Sequence, residues 1–252
     1  MRYAKGNLVI SAERDIPLLR QVRNSRFITH VQLFEFSKLG GFDHDRDSFN
    51  WRLRRLRTSA HISICPDGQV SGSAVYQITK KGLTVLENFG ECAAVLNSNT
   101  ENLPHLAQVF HALELNAIHL ALARKNLVAA WQSEIEIASY NTISLRPFQK
   151  DYDAIVDVWL NDRKARFGLE YERSLKSHKH YSRIREALEA EQELDSILYI
   201  TVGTEFLVPL VQELGSTKKR LFFTSTGSFV RDLLDTEVIG PGAAPCVFRE
   251  HL

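Results

Sequence analysis

Acidic side chains are concentrated between residues 152 and 173, where their spacing could form a metal site. This segment is typical of two strands joined by a polar turn. Side chains alternate along a strand, so Glu170 and Glu172 are expected on the same face. Carboxylates held close together bind Mg²⁺ through oxygen, and the ion can activate water and neutralise charge on a phosphate. The pattern indicates Asp153 and Glu170 as magnesium ligands for phosphodiester chemistry.

Other acidic residues nearby could take part in the same site. Asp151 and Asp157 compete with Asp153 for the role of metal ligand, and Glu134 or Glu136 on a preceding strand could add a further carboxylate. Asp153 is preferred because of its Tyr-Asp-Ala-Ile-Val context.

The elements that must position these carboxylates alternate in type, which predicts an α/β domain with a mixed sheet. The predicted strands cover 134–137, 153–160, 166–172, 197–202 and 220–224, and the predicted helices cover 177–192 and 204–214. The stretch from Gly240 to Pro245 is expected to be a loop.

The first half of the chain shows a different pattern, with apolar residues at helical spacing in three short segments. Thr29 is expected to cap the second helix, and the third covers about 45–58. Its outward surface is predicted to carry one amide among guanidinium groups, side chains that can bind adenine and guanine edges and phosphates. These residues are Asn50, Arg54 and Arg57 at i, i+4 and i+7, flanked by Arg46, Arg52 and Arg55.

A β-hairpin is predicted over 61–78, with a turn at Pro66-Asp67-Gly68 and a tip near Gly72. Another helix follows, beginning at Lys80 and Lys81. The order of three helices, hairpin and helix over 12–90 resembles the winged helix-turn-helix family. That resemblance implies a third helix in the DNA major groove and a hairpin against the backbone or minor groove.

The second half resembles the PD-(D/E)xK phosphodiesterase fold, in which an Asp opens the second strand and a Glu-x-Lys lies on the third. Asp153 and the run Glu170-Tyr171-Glu172 match those positions, except that Glu172 replaces the lysine. Glu172 itself, Arg173 or Lys176 could take over its role, so Asp153, Glu170, Glu172 and Lys176 form the candidate catalytic set. Lys179 and Arg183 on the following helix could contact DNA phosphates.

Composition sets the remaining expectations. The 252 residues favour two domains, predicted as 1–96 and 97–252 with a linker at 97–104. Residues 1–100 carry 14 Lys and Arg against 9 Asp and Glu, which favours a polyanionic partner. The three cysteines are far apart and match neither a zinc site nor a disulfide framework, so a cytoplasmic location is expected. No membrane segment is expected, and the Gly-Lys-Thr pattern of nucleotide-hydrolysing motors is absent.

The Leu-Glu-Tyr-Glu-Arg strand, the Asp-Ala pair before it, Trp131-Gln-Ser-Glu134 and the N-terminal pattern together resemble the replication-relaxation family over nearly the whole chain. That resemblance implies a DNA-binding protein of plasmids or other mobile elements, with double-stranded DNA as its partner. Three alternatives stay open: a non-catalytic clamp or partner-binding module, an active Mg²⁺-dependent endonuclease, and a dimeric transcriptional repressor. A homodimer, built on the apolar helix after Pro104, is left open.

Overall fold

The computed structural model describes residues 9–70, 72–91 and 106–252. The chain divides into two compact units, Met1–Asn116 and Ala117–Leu252. Both contain helices and strands, and the larger sheet is mixed, as the sequence predicts. The predicted linker at 97–104 and the predicted domain boundary at 96/97 lie outside the described residues.

The described part of the first unit combines helices with a three-stranded antiparallel sheet in the order β1-β3-β2. In chain order its elements are α1 (Asp15–Ser25), β1 (Ile28–Thr29), α2 (His30–Leu39), α3 (Arg46–Thr58), β2 (Ile62–Val70), β3 (Ser73–Ile78), α4 (Lys80–Asn88) and the first part of α5 (Leu106–Ala123). Buried apolar side chains from α1, β1 and α3 form its core, among them Leu19, Val22, Ile28, Phe49 and Leu56.

Side-chain caps explain why these helices begin where they do. Thr29 forms a capping box with Gln32 at α2, which confirms the predicted cap. The Asp45 carboxylate accepts a hydrogen bond from Ser48 N at α3, and the Thr79 hydroxyl accepts one from Gly82 N at α4. The starting points of these helices therefore follow from capping residues that are visible in the sequence.

The predicted hairpin turn at Pro66-Asp67-Gly68 is wrong. Strand β2 continues through these residues to Val70, and its register against β3 shifts between Ile64 and Gln69. A register shift of this kind accommodates extra residues within an antiparallel pair, so proline and glycine can lie inside the strand. The hairpin instead closes near Gly72, which adopts φ +75°.

A buried ion-pair network fixes α3 to the rest of its unit. Arg52 is only 5% exposed, and its guanidinium contacts Asp15 Oδ1 and Asp43 Oδ1, each at 3.2 Å. Arg55 also pairs with Asp15 and lies over the Trp51 ring. The prediction that Arg52 and Arg55 lie on the outward surface of α3 is therefore wrong for Arg52, and Arg55 is half-buried. Their acidic partners lie outside α3: Asp15 begins α1, and Asp43 precedes α3.

The second unit is built around a seven-stranded sheet in the described residues, in the order β10-β9-β8-β7-β6-β5-β4. After α5 its elements are β4 (Val128–Ser133), α6 (Glu134–Ile143), β5 (Ala154–Leu160), β6 (Arg163–Glu172), α7 (His178–Ala190), β7 (Ser196–Thr201), α8 (Leu207–Leu214), β8 (Arg220–Ser225), α9 (Thr226–Asp232), β9 (Glu237–Ile239) and β10 (Pro245–Val247).

The connections between strands set the directions in this sheet. β4, β5 and β6 pair antiparallel, whereas β6, β7 and β8 run parallel. Parallel neighbours need a crossover, and α7 and α8 supply the two crossovers. β9 and β10 then add an antiparallel edge.

One sequence prediction in this unit is wrong. The run Glu134-Ile-Glu-Ile forms the start of α6 and not a strand, because Ser133 and Glu136 make a capping box that starts a helix there. The predicted loop from Gly240 to Pro245 connects β9 to β10, which begins at Pro245. Phe248 beyond it is fully buried, with its ring against Phe167 and Phe222.

Helix α5 is the one described helix that is long and apolar enough to cross a membrane by length and composition, and 44% of it is buried within the protein. Core helices of soluble proteins share those properties. Near its N-terminal end Val109 and Leu113 pack with Cys65 and Val75, and Asn116 donates a hydrogen bond to Phe27 O.

Substitution of Asp15 by Asn should destabilise the first unit by about 3–5 kcal/mol, since it leaves Arg52 and part of Arg55 with an incomplete set of buried charges. Glu87→Gln, at an exposed position on α4, should change the free energy of unfolding by no more than about 0.5 kcal/mol. Urea denaturation of the full chain measures both. Equal stability of the Asp15→Asn protein and the wild type would show that the network does not hold α3.

Candidate functional site

Strand register brings the predicted carboxylates together in the second unit. Ala154 pairs with Leu169 across the antiparallel β5 and β6, so Asp153 and Glu170 lie opposite each other at the next position. Glu172 follows on the same face of β6. This is the arrangement that the sequence predicts for Asp153, Glu170 and Glu172.

Asp153 and Glu170 are held in different ways. Asp153 Oδ2 accepts a 2.7 Å hydrogen bond from Tyr171 N, which fixes the carboxylate at the start of β5. Glu170 is only 5% exposed, and Lys150 Nζ lies 2.6 Å from its Oε1. Lys150 also lies over the Tyr152 ring, with its nitrogen 5.1 Å from the ring centre. A lysine that the sequence analysis did not select therefore forms part of the cluster.

Glu172 and Lys176 form the second ion pair of the cluster. Glu172 is buried, and Lys176 Nζ donates a hydrogen bond to its Oε1 from the loop before α7. The structure thus brings Lys176 to the carboxylates, as one of the alternatives in the sequence analysis requires. Together with Lys150 it places two ammonium groups beside three carboxylates.

The charges of the cluster shift the pKa values of its members. Burial raises the pKa of Glu170 to about 7, and the negative charge of Asp153 adds to this effect while Lys150 opposes it. Burial alone would lower the pKa of Lys176, but the charge and hydrogen bond of Glu172, together with the charges of Glu170 and Asp153, raise the pKa above its ordinary value. A carboxyl group that changes charge near neutral pH is common at functional sites.

Tyrosine rings form the apolar surroundings of Glu170. Tyr199 lies directly across from it on β7 and is fully buried, and burial raises the pKa of its hydroxyl well above the usual range. Tyr152 is also buried and donates a hydrogen bond to Glu191. These rings exclude water from one side of Glu170, which accounts for the raised pKa of its carboxyl group.

The competing acidic residues are placed elsewhere. Asp151 is exposed and accepts a hydrogen bond from Asn141, and Asp157 forms a two-point ion pair with Arg166. Glu134 and Glu136 belong to the first turn of α6, where Glu136 completes the capping box. Among these candidates the structure places Asp153 beside Glu170.

A second candidate surface lies on α3 in the first unit. Arg46, Arg54 and Arg57 are exposed, and none of them forms an ion pair with another described residue. Asn50 is half-buried and faces a pocket between α2, α3 and β3. This surface carries uncompensated positive charge, whereas Arg52 and Arg55 on the same helix are neutralised by buried aspartates.

The other predicted DNA contacts are at the surface of their units. Lys80 and Lys81 are exposed at the start of α4, and Lys81 Nζ donates a hydrogen bond to Ser59 O. Lys179 and Arg183 are exposed on α7. All four can reach a ligand in solution.

Comparisons with known proteins identify no relative. No family model matches the chain, and neither a curated protein nor a solved structure is significantly similar to it.

Glu170→Gln should remove a pH dependence from stability. The folded protein binds a proton at Glu170 up to about pH 7, whereas the ordinary pKa is 4.5, so the wild type should lose stability as pH rises through this range. Glutamine cannot ionise, so the variant should gain stability relative to the wild type between pH 5 and pH 8. Urea denaturation at both pH values measures the difference, with Glu189→Gln on α7 as a control for loss of one charge. Parallel pH profiles for wild type and Glu170→Gln would contradict the assignment.

Proposed function

We propose that this chain is a DNA-binding protein whose second unit hydrolyses phosphodiester bonds with Mg²⁺. One observation carries the proposal: Glu170 is buried opposite Asp153 on neighbouring strands and is contacted by Lys150. Buried charges are costly, and a protein core retains them where they have a use. Two carboxylates with a lysine between tyrosine rings are suited to binding a metal ion and a phosphate.

The order of elements supports a PD-(D/E)xK-like fold for the second unit. Asp153 immediately precedes β5, the second strand of that unit, and Glu170 lies on β6, the third. Helix α7 follows β6 and leads to β7, which is parallel to β6. This order agrees with the resemblance drawn from the sequence. Membership of the replication-relaxation family stays a prediction.

The donor set fits Mg²⁺. This ion is commonly held by one or two protein carboxylates, with water and phosphate oxygens completing its octahedron. Asp153 and Glu170 would supply that number, and no three Asp, Glu, His or Cys residues among those described converge to enclose an ion. When bound, Mg²⁺ neutralises charge on the phosphate and activates water.

Lysines compensate for the unusual Glu172. The family motif places a lysine two residues after the Glu, and in this chain Lys176 neutralises the residue that replaces it. Lys150 contacts Glu170, the proposed metal ligand. We therefore assign to Lys150 the role of holding positive charge beside the scissile phosphate, and to Lys176 that of keeping Glu172 neutralised within the buried site.

The first unit supports DNA binding through α3. Three exposed arginines without acidic partners among the described residues, Arg46, Arg54 and Arg57, give this helix the charge that phosphates and guanine edges attract. The hairpin of β2 and β3 follows α3, which agrees with a winged helix-turn-helix. Lys80, Lys81, Lys179 and Arg183 would add phosphate contacts. A cytoplasmic location belongs to the same proposal.

A non-catalytic second unit is the second candidate, favoured by the same ion pairs. Lys150 and Lys176 already neutralise two of the three carboxylates without a metal ion. In that case the cluster would only stabilise the sheet, and the chain would act as a DNA-binding regulator, either as a clamp or as a dimeric repressor.

The wild-type chain should cleave labelled duplex or branched DNA in the presence of Mg²⁺ and not in EDTA. Asp153→Asn and Glu170→Gln should each lower the rate by about 10²-fold or more, because each removes a proposed metal ligand. Asp157→Asn on β5 is the control, since Asp157 pairs with Arg166 at a partly exposed position, and it should retain activity.

Lys150→Ala should lower the cleavage rate more than Lys176→Ala if the lysine roles are assigned correctly. Isothermal calorimetry with Mg²⁺ gives an independent readout of the site. If the chain neither binds Mg²⁺ nor cleaves any of the DNA substrates, the result favours the non-catalytic candidate.

Arg54→Ala and Arg57→Ala should each weaken binding to duplex DNA by about 1–3 kcal/mol and reduce the salt dependence of the affinity by about one phosphate contact. Arg20→Ala is the control, because Arg20 on α1 is partly exposed but is paired with Glu91. Fluorescence anisotropy at several salt concentrations measures these affinities. Unchanged affinity and salt slope in both variants would refute the role of α3.

A further inference from the structure

A pocket of about 230 Å³ opens on the proposed DNA-binding face of the first unit. Six residues line it, contributed by the start of α2, by α3 and by β3: His30, Asn50, Leu53, Arg54, Arg57 and Tyr76. Pockets for drug-sized ligands usually measure about 300–1,000 Å³, so this one suits a single small group.

The lining is apolar at the base and charged at the rim. Leu53 is buried, and Tyr76 Oη lies 3.3 Å from His30 Nδ1. Burial lowers the pKa of His30, with the nearby Arg46 contributing, and burial raises the pKa of Tyr76, so both rings are neutral at pH 7. Arg54 and Arg57 at the rim are exposed and have no acidic partner among the described residues. The neutral rings at the base suit a neutral planar group, and the arginines at the rim suit an anion attached to that group.

Asn50 adds a specific polar group to the wall. Its Oδ1 atom is buried and makes no hydrogen bond of ordinary distance and angle. The atom lies close to the His30 ring, where its effect is to raise the pKa of that histidine. A carbonyl oxygen has two lone pairs, so this atom can accept a hydrogen bond from a ligand donor as well as from His30. The amino group on the edge of a nucleobase is such a donor, and Asn commonly pairs with adenine.

We propose that this pocket holds one unpaired base of a DNA strand, with Asn50 on the base edge and Arg54 and Arg57 on the adjoining phosphates. The inference rests on the proposed DNA binding and refines it. Taking a base out of a stack costs a few kcal/mol, and least where the base is already unpaired. The chain should therefore prefer DNA with an extrahelical or single-stranded nucleotide to fully paired duplex.

The test compares a duplex carrying one bulged 2-aminopurine with the same duplex fully paired, using the full-length chain and fluorescence anisotropy. The bulged duplex should bind at least about ten-fold more tightly, which is 1.4 kcal/mol. The emission of 2-aminopurine should change on binding, because the base moves into a protein environment. Asn50→Ala should abolish the preference for the bulged duplex, whereas Arg54→Ala should weaken binding to both duplexes. Arg20→Ala, on α1 and paired with Glu91, should leave the preference unchanged.

The outcomes separate this inference from the function beneath it. Equal affinity for bulged and paired duplex, with no change in 2-aminopurine emission, would overturn the pocket and leave DNA binding intact. Absence of binding to every DNA would refute both. Free deoxyadenosine monophosphate is included as a competitor, and displacement of the bulged duplex at micromolar concentration would assign the pocket to a free nucleotide and overturn the assignment to a strand. The emission signal of the wild type keeps the test valid should Asn50→Ala fail to fold.

Discussion

The cost of removing a carboxylate from water is the constraint on which the second unit depends. Glu170 lies on a strand with neighbours on both sides, between tyrosine rings on the adjoining elements. Its charge can persist there only with a cation close by, and Lys150 supplies one from the loop before β5. Glu170 and Lys150 are brought together by the sheet order, by the bend of the chain at Lys150 and by the packing of Tyr152. A site with this balance is partly neutralised before a ligand arrives, so a metal ion would compete with a lysine for the same oxygen.

In the first unit the excess charge is positive. The arginines of α3 fall into a buried group and an exposed group, and helical spacing alone does not show which arginine belongs to which. Arg52 faces inward and is matched by Asp15 and Asp43, which anchors the helix. Arg54 and Arg57 face outward and have no such partner among the described residues. The buried pairs give the helix a fixed orientation, and that orientation decides which guanidinium groups a ligand can reach.

The sequence predicts most of the elements and the convergence of Asp153, Glu170 and Glu172, and it offers Lys176 as one of three alternatives, because these depend largely on local signals. Strand alternation, helix caps and the order of elements act over a few residues. Lys150 could not be found in this way, since it lies in a loop without periodicity and its partner is twenty residues away on another strand. The buried position of Arg52 could not be predicted from helical spacing either, because its partners Asp15 and Asp43 belong to other segments. The run Glu134-Ile-Glu-Ile alternates like a strand, but the Ser133 capping box decided the outcome.

In both units, therefore, buried ion pairs neutralise some of the charged side chains and determine which others can contact a ligand. On α3, Arg52 and Arg55 are neutralised within the unit, whereas Arg46, Arg54 and Arg57 have no acidic partner among the described residues. On the sheet, the lysines contact Glu170 and Glu172, while Asp153 is held by a backbone N–H. Lys150 and Lys176 are each more exposed than the glutamate that they contact, so under the proposed function a phosphate would reach their ammonium groups before Glu170 or Glu172. Under the proposed function, Asp153 and Glu170 would hold the cation, Lys150 would pair with the phosphate, and Lys176 would stay paired with Glu172.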